Sequence, residues 1–294
     1  MTSSDRADAP VGLIGLGLLG SVLGERLLDA GYSLHVFNRS REKAEPLLAR
    51  GAVWSDNPFA ACDRVVVCLY TTSVVEQVLA SLGGALRPGQ TVLDATTGDP
   101  HETAALGGWL AERGVAYLEA PIAASSDQTR RGQAVALCAG DEAVFLRHQA
   151  LLECLAPKTF YVGPWGSAVK VKLVNNLVLG LNRVALAEGL VFARALGLDA
   201  ARTLAILKQG NAYSVAMDVK GRKMLEEDFA ADAKLSQHLK DVRLILAEAE
   251  AAGVRLPASQ LHRRLLEHAE ARGWGELDNS VILKAVETFP DGAP

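Results

Sequence analysis

The sequence predicts an α/β fold in which a doubly wound parallel sheet is followed by an all-α domain. Two observations support this prediction. Over the first half of the 294-residue chain, short apolar strands alternate with helical stretches, which is typical of a parallel sheet covered on both faces. From Ser167 onward strand patterns disappear, and long apolar or amphipathic helical segments follow. We therefore predict one domain over residues 1–165 and a second over residues 166–294, joined by a long interdomain helix.

The first strand and helix enclose a glycine motif. A strand is predicted over residues 11–16, a helix over 21–30 and a second strand over 33–37. In G-x-G-x-x-G the first glycine permits a tight turn, the second admits a pyrophosphate, and the third lets the helix pack on its strand. The helix amides then face the phosphates. The pattern predicts a Rossmann dinucleotide site formed by Gly15, Leu16, Gly17, Leu18, Leu19 and Gly20.

The end of the second strand indicates which dinucleotide is bound. Where NAD-binding proteins place an acid for the ribose hydroxyls, this chain has Asn38, Arg39 and Ser40, with no acid before Glu42. A cation and a hydroxyl suit a 2′-phosphate. We therefore predict that NADP(H) is favoured over NAD(H). The alternative is that Arg39 only lies along the solvent edge or stacks on the adenine.

Further strands are predicted over residues 64–69, 91–95 and 116–119, with helices such as 74–81 and 100–113 between them. Ligands of such sheets bind beyond the carboxyl ends of the strands. Leu69 and Thr97 and the loop at residues 121–125 are accordingly predicted to lie near the nicotinamide.

A polar stripe interrupts the apolar helix that starts the second half. Lys172, Asn175 and Asn176 are spaced i, i+3 and i+4, which places them on one side of a helix. An unpaired ammonium buried there would have a lowered pKa, and such a lysine can act as a proton donor. Alternatively, the lysine extends along the helix to solvent and the amides are structural. These residues alone leave both interpretations open.

Composition narrows the possible partners. The formal charge is −4 without a basic run, which argues against a nucleic-acid partner. No apolar stretch reaches membrane-spanning length, and the opening ten residues lack the apolar core of a signal peptide, so we predict a cytoplasmic protein without a membrane partner. Histidine and cysteine spacings predict no metal site. The long apolar helix predicts a homodimer or homotetramer.

Four sequence blocks together resemble the β-hydroxyacid dehydrogenase family, which includes 3-hydroxyisobutyrate dehydrogenase, tartronate semialdehyde reductase and glyoxylate/succinic semialdehyde reductases. They span nearly the whole chain. The blocks are VGLIGLGLLG at 11–20, EAPIAAS at 119–125, GSAVKVKLVNN at 166–176 and KDVRLILA at 240–247. The resemblance implies an NAD(P)-dependent enzyme that moves a hydride between the nicotinamide and a 3-hydroxyacid or semialdehyde-like substrate.

The resemblance also implies roles for individual residues. Lys172 matches the family's catalytic lysine, which exchanges a proton with the substrate oxygen, and Asn176 matches its helical partner. Lys240 matches a lysine that reaches the cofactor, and Asp241 matches an acid that borders the substrate pocket. Asn175 is a further candidate for the substrate side. Thr97 matches a family contact with cofactor or substrate.

The substrate loop departs from the family pattern. The family's Ser-Gly-Gly is replaced by Ala123, Ala124 and Ser125, so a hydroxyl is missing and two Cβ atoms stand where backbone amides approach a carboxylate. This implies a substrate that is larger or less carboxylate-like than a three- or four-carbon hydroxyacid. The sequence leaves two alternative functions open. One is an imine reductase-like enzyme, which would generally lack the lysine, and the other is a non-catalytic NADP-binding interaction module.

Overall fold

The computed structural model describes residues 9–290, so most of the predicted N-terminal tail lies outside the described residues. The chain divides into two compact units, one extending to Lys172 and the other starting at Leu173. The domain boundary predicted between residues 165 and 166 stays a prediction.

The N-terminal unit contains one eight-stranded sheet. Its strands are β1 (Val11–Ile14), β2 (Leu34–Phe37), β3 (Val53–Trp54), β4 (Arg64–Val67), β5 (Thr91–Asp94), β6 (Ala116–Glu119), β7 (Val135–Gly140) and β8 (Lys158–Tyr161). They are ordered β3-β2-β1-β4-β5-β6-β7-β8. Neighbouring strands are parallel except at β6 and β7, which pair antiparallel. The predicted α/β fold with a doubly wound, mostly parallel sheet is confirmed, and the antiparallel pairing of β6 and β7 is a feature that the sequence did not reveal.

Helices cover both faces of this sheet because the strand residues alternate in direction. Leu13 packs in one apolar cluster together with α1, whereas the next residue, Ile14, packs in a second cluster with α4 and α5. Both faces are thus buried, as a doubly wound sheet requires. The helices are α1 (Leu18–Asp29), α2 (Glu45–Leu48), α3 (Pro58–Ala61), α4 (Thr72–Leu82), α5 (Pro100–Ala111), α6 (Ser126–Arg130) and α7 (Glu142–Leu155).

From residue 167 onward the described regular elements are helices, together with an isolated bridge between Lys234 and Asp278. The helices are α8 (Ser167–Ala195), α9 (Ala200–Leu207), α10 (Val215–Glu226), α11 (Leu235–Ala251), α12 (Pro257–Ala271) and α13 (Ile282–Thr288). The predicted all-α second half is therefore confirmed. Helix α8 begins in the N-terminal unit and continues in the C-terminal unit.

Helix α8 corrects one expectation from the sequence. By length and composition alone it could cross a membrane, although no apolar stretch was expected to reach that length. Part of its most apolar stretch of 18 residues is buried within the protein. The core helix of a soluble protein can be equally long and apolar. The sequence-based expectation underestimated the length of this apolar helix because charged and amide side chains such as Lys172, Asn176 and Arg183 interrupt the apolar run.

Candidate active site

The glycine loop has the geometry that its three glycines predict. Gly15 has a φ of +98°, which favours glycine and turns the chain sharply after β1. A Cβ on Gly20 would lie 1.9 Å from the carbonyl oxygen of Gly15, so α1 can pack here only with glycine. A Cβ on Gly17 would meet no atom within 4 Å, which leaves the backbone at the start of α1 open to approach. The loop therefore fits a dinucleotide pyrophosphate.

Asn38 closes this loop from the end of β2. Its Oδ1 accepts a hydrogen bond from the backbone amide of Leu16 at 2.9 Å, and its Nδ2 donates to the carbonyl of Ser40 at 2.9 Å. The side chain predicted to contact the cofactor thus ties the second strand to the glycine loop. It shapes the site whether or not it also contacts a ligand.

Arg39 and Ser40 follow at the same edge. Arg39 is exposed, and within residues 9–290 the structure gives it no ion-pair partner. Its neighbour Arg41 instead stacks over the indole of Trp54, with the guanidinium carbon 4.9 Å from the ring centroid. Arg39 is therefore available to an anion at this edge, whereas Arg41 already packs against an aromatic face.

The ends of β4 and β5 are joined by a buried hydrogen-bond network. The amide of Leu69 donates to Oγ1 of Thr96 at 3.0 Å, and the amide of Thr96 donates to Oδ1 of Asp94 at 2.8 Å. The hydroxyl of Tyr117 donates to the other carboxylate oxygen at 2.8 Å. Burial raises the pKa of Asp94 above its ordinary value. This network fixes the loop that carries Thr97, and the sequence did not single out Asp94 or Tyr117.

The substrate-loop residues are partly engaged by the protein itself. The amide of Ala123 donates to the carbonyl of Val135 at 2.7 Å. The hydroxyl of Ser125 caps α6 by accepting from the amide of Gln128, whose side chain accepts from the amide of Ser125 in return. Ala124 packs against the apolar cluster that contains Leu13. The backbone amides of Ala123 and Ser125, two donors that could have captured a carboxylate, therefore have other partners.

Lys172 is brought to this same edge of the sheet. Its side chain is buried, with the residue 7% exposed, so it does not extend along the helix to solvent. Its Nζ donates a hydrogen bond to the carbonyl of Ile122 at 2.5 Å, in the loop that follows β6. The parallel strands β1, β2, β4, β5 and β6 end at one edge, where ligands of such sheets bind. Nζ of Lys172 therefore lies beside the loop that follows the carboxyl end of β6, and its contact with the nicotinamide stays a prediction.

Glu119, the last residue of β6, was not predicted as a site residue. It is almost fully buried, and its carboxylate accepts hydrogen bonds from the backbone amides of Gly166 and Val169 at the start of α8. Burial raises the pKa of Glu119 to about 7, although the amide hydrogen bonds oppose this shift. The sequence did offer one signal for Glu119: an acidic residue ends a predicted strand, and the helix that carries Lys172 follows later in the chain.

The remaining predicted residues form a cluster in the C-terminal unit. Nδ2 of Asn176 donates to Oδ2 of Asp241 at 2.8 Å, and Asn175 donates to Oδ1 of Asn176 at 3.1 Å. Lys240 forms an ion pair with Oδ1 of Asp241 at 3.1 Å. These contacts hold the Asn176 amide in one orientation. Contacts of these four residues with substrate or cofactor stay predictions.

A dinucleotide loop, a switch to helices after the sheet, and a buried lysine at the carboxyl edge define a class of nicotinamide-dependent oxidoreductases. Two family models match the chain. The first, described as the NAD binding domain of 6-phosphogluconate dehydrogenase, matches residues 10–163. The second, described as NAD-binding of NADP-dependent 3-hydroxyisobutyrate dehydrogenase, matches residues 166–286.

Relatives match over nearly the whole chain. The 2-hydroxy-3-oxopropionate reductase of Escherichia coli (strain K12) is 32% identical over 94% of this chain and 97% of that protein. The cytokine-like nuclear factor N-PAC of Xenopus tropicalis is 29% identical over 95% of this chain, which spans 53% of that protein's length. The chain belongs to the β-hydroxyacid dehydrogenase family and is an NAD(P)-dependent oxidoreductase acting on CH–OH groups.

Solved structures share the fold. A 3-hydroxyisobutyrate dehydrogenase from Salmonella typhimurium superposes with a TM-score of 0.87 at 23% identity, covering 94% of this chain and 99% of that one. An imine reductase from Pseudomonas sp. superposes with a TM-score of 0.65 at 23% identity, covering 95% and 99%. The fold is thus nearer to the hydroxyacid dehydrogenase than to this imine reductase.

Proposed function

We propose that this protein is an NADP-dependent reductase or dehydrogenase of 3-hydroxyacid or semialdehyde-like substrates, with Lys172 as the general acid and base. The observation that carries the proposal is the buried ammonium of Lys172, held on the carbonyl of Ile122 in the loop that follows β6. A carbonyl that receives a hydride needs a proton at its oxygen, and a positioned lysine in a water-poor cleft can donate it.

When bound, the reduced nicotinamide supplies the hydride to the substrate carbon. The chain's own residues do the rest. Lys172 donates a proton from Nζ to the carbonyl oxygen as the new C–H bond forms, and in the opposite direction the neutral amine takes the hydroxyl proton back. The carbonyl of Ile122 orients the ammonium. The amide of Asn176, one helical turn further along α8, would hold the substrate oxygen or the lysine in place.

The cofactor preference rests on the end of β2. Arg39 is exposed there beside Ser40, and the next acid is Glu42, which is also exposed. A guanidinium and a hydroxyl can bind a phosphate on the 2′ position of the adenosine ribose, whereas NAD lacks that phosphate. We propose that NADP(H) is used in preference to NAD(H).

The substrate is proposed to be larger or less carboxylate-like than a three- or four-carbon hydroxyacid. The amide of Ala123 donates to the carbonyl of Val135, and the amide of Ser125 donates to the side chain of Gln128. This loop therefore offers fewer free donors to a carboxylate than a Ser-Gly-Gly loop would. A clear preference for glyoxylate or succinic semialdehyde over longer aldehydes in a substrate panel would contradict this part of the proposal.

The test is a substrate panel of aldehydes, hydroxyacids and cyclic imines with NADPH and with NADH, repeated for Lys172→Ala. We expect aldehyde reduction with NADPH and a kcat about 10²- to 10⁴-fold lower in the variant. Lys170→Ala is the matched control, because Lys170 is exposed on the same helix. Survival of most turnover in Lys172→Ala would remove the lysine from its role. Imine reduction without aldehyde reduction would favour the imine reductase alternative.

We also propose that the protein is a cytoplasmic homodimer or homotetramer. In the C-terminal unit, α8 exposes apolar side chains on one face: Val174 is 64% exposed, Val178 52% and, beyond the exposed Glu188, Phe192 63%. Their spacing of 4 and 14 residues keeps them on one side of the helix. Val174 and Val178 are neighbours on this face, and exposed apolar area on a helix face is typical of protein interfaces. Sedimentation of the wild type and of Val178→Glu would test this, and a monomeric wild type would contradict it.

A further inference from the structure

We propose that Glu119 is a positioning residue for the reaction, whose carboxylate anchors the first turn of α8 and so fixes Lys172 against the substrate loop. This inference rests on the proposed function, because it takes Lys172 as the acid. It concerns a residue of β6 that does not touch the reacting atoms.

The first contact is at the start of α8. The amides of the first turn of a helix have no partner within the helix, and a carboxylate placed there is favourable both as an acceptor and as a charge. Oε1 of Glu119 accepts from the amide of Gly166, and Oε2 accepts from the amide of Val169 at 3.2 Å. Gly166 has a φ of +88°, and a Cβ there would lie 2.9 Å from the carbonyl of Pro100. The chain therefore enters α8 along one tightly defined path.

The second contact is one turn further along the helix. Ile122 lies three residues after Glu119, and its carbonyl accepts from Nζ of Lys172 at 2.5 Å. Residues 119–122 thus hold the helix at its first amides and at the lysine. If the first contact loosened, the helix end could move and the ammonium would leave its position. Displacement of a catalytic group by about 1 Å can cost about 10²-fold in rate.

The charge on Glu119 decides how strong the first contact is. Burial raises the pKa of this carboxyl to about 7. The other ionisable groups that face it are Asp94, Tyr117 and Cys138, of which Asp94 raises the pKa further. Burial raises the pKa of the Cys138 thiol to about 12 and that of Tyr117 well above its usual value, so both stay neutral near pH 7. Below pH 7 the anchor therefore loses its charge.

The experiment measures kcat and KM from pH 5.5 to 8.5 for the wild type, Glu119→Gln and Glu119→Asp, with hydrogen exchange of the amides of residues 166–172. We expect the wild-type kcat to fall below a pKa near 7. In Glu119→Gln, kcat at pH 8 should be about tenfold lower, and the fall of kcat at acidic pH (the acidic limb of the profile) should be absent. Hydrogen exchange of these amides should be faster, and the KM for NADPH should be unchanged. Glu119→Asp retains the charge with one methylene less, so it should recover part of kcat and keep the acidic limb.

The matched control is Asp141→Ala. Asp141 caps α7 by accepting from the amide of Ala143 at 2.7 Å, and α7 carries no residue of the site. This variant should keep the wild-type pH profile. A wild-type kcat and exchange rate in Glu119→Gln, or an acidic limb that persists in it, would overturn the positioning role while Lys172→Ala remained inactive. Retained turnover in Lys172→Ala would instead overturn the proposed function itself.

Discussion

The side-chain amide of Asn176 donates a hydrogen bond to Oδ2 of Asp241 at 2.8 Å, linking α8 to α11 inside the C-terminal unit. Both residues are 6% exposed. Asn175 donates to the carbonyl oxygen of the same amide, so the orientation of Asn176 is set from two sides. Within residues 9–290 the structure gives the second N–H of the Asn176 amide no hydrogen-bond partner.

Removing the Asp241 carboxylate should therefore misorient Asn176. We expect Asp241→Ala to lower kcat about tenfold, because a residue placed by hydrogen bonds loses its geometry when the partner is removed. Steady-state kinetics with NADPH measure this effect. Asp218→Asn is the control, since Asp218 is exposed and pairs with Lys208 in the same unit. Equal kcat values for Asp241→Ala and Asp218→Asn would show that Asp241 does not position Asn176 for turnover.

Two glycines of the loop are predicted to have different roles, Gly17 in cofactor binding and Gly20 in folding. Gly17→Ala should leave the thermal midpoint of the free protein nearly unchanged, because the new Cβ meets no atom within 4 Å and Gly17 has a φ of −76°, which alanine adopts readily. It should weaken NADPH binding about tenfold or more by obstructing the pyrophosphate. Calorimetric titration with NADPH and a thermal melt without it measure the two effects.

Gly20→Ala is the complementary variant. Its Cβ would lie 1.9 Å from the carbonyl oxygen of Gly15, so the loop or the helix must shift, at a cost of about 1–3 kcal/mol or more. The thermal midpoint of the cofactor-free protein should fall clearly. If the thermal midpoint of Gly17→Ala were as low as that of Gly20→Ala and the variant still bound NADPH normally, the binding role assigned to Gly17 would be wrong.

Arg39 provides the test of cofactor preference. Arg39→Ala should raise the KM for NADPH about tenfold and leave the KM for NADH nearly unchanged, because only NADPH carries the 2′-phosphate. Arg50→Ala is the control, since Arg50 is exposed but pairs with Asp29 at 2.5 Å. A parallel rise in both KM values would place Arg39 on the adenine or the pyrophosphate instead.

Much of the fold could be predicted from the sequence because local patterns encode it. Strands were predicted at 11–16, 33–37, 64–69, 91–95 and 116–119, and the structure has β1, β2, β4, β5 and β6 there. The others were missed for physical reasons. β3 has only two residues, and β8 is half exposed, so neither gives a buried apolar run. The direction of β7 depends on its pairing with β6, which no local pattern reveals.

The sequence predicted those site residues whose role follows from their residue type. It did not predict roles that depend on contacts between residues far apart in the chain. The bond between Asn38 and the amide of Leu16 joins residues 22 positions apart, and the contact of Glu119 with Val169 joins residues 50 apart. Neither spacing leaves a local pattern. The capping role of Ser125 did leave one, because Ser-x-x-Gln before a helix is a capping-box pattern.

A buried histidine makes the stability of the C-terminal unit depend on pH. His262 on α12 is 2% exposed and lies against His238, with ring centroids 5.1 Å apart. His238 in turn contacts the buried guanidinium of Arg183 at 2.9 Å. Burial lowers the pKa of His262 to about 3, and the positive charge of Arg183 lowers it further.

Because the folded pKa lies below the unfolded value of about 6.5, the unfolded chain binds a proton between these values that the folded chain does not. The free energy of unfolding should therefore fall as the pH drops below about 6.5. By pH 5 the loss due to His262 should reach about 2 kcal/mol, at about 1.4 kcal/mol per pH unit. Above pH 7 this contribution should be constant.

Urea unfolding of the wild type and of His262→Gln at pH 7, 6 and 5 measures this contribution. The variant cannot take up the proton, so the wild type should lose about 2 kcal/mol more than the variant between pH 7 and 5. His101→Gln, at an exposed position on α5, should keep the wild-type dependence. An equal loss in the wild type and in His262→Gln would show that the His262 ring accepts its proton in the folded protein.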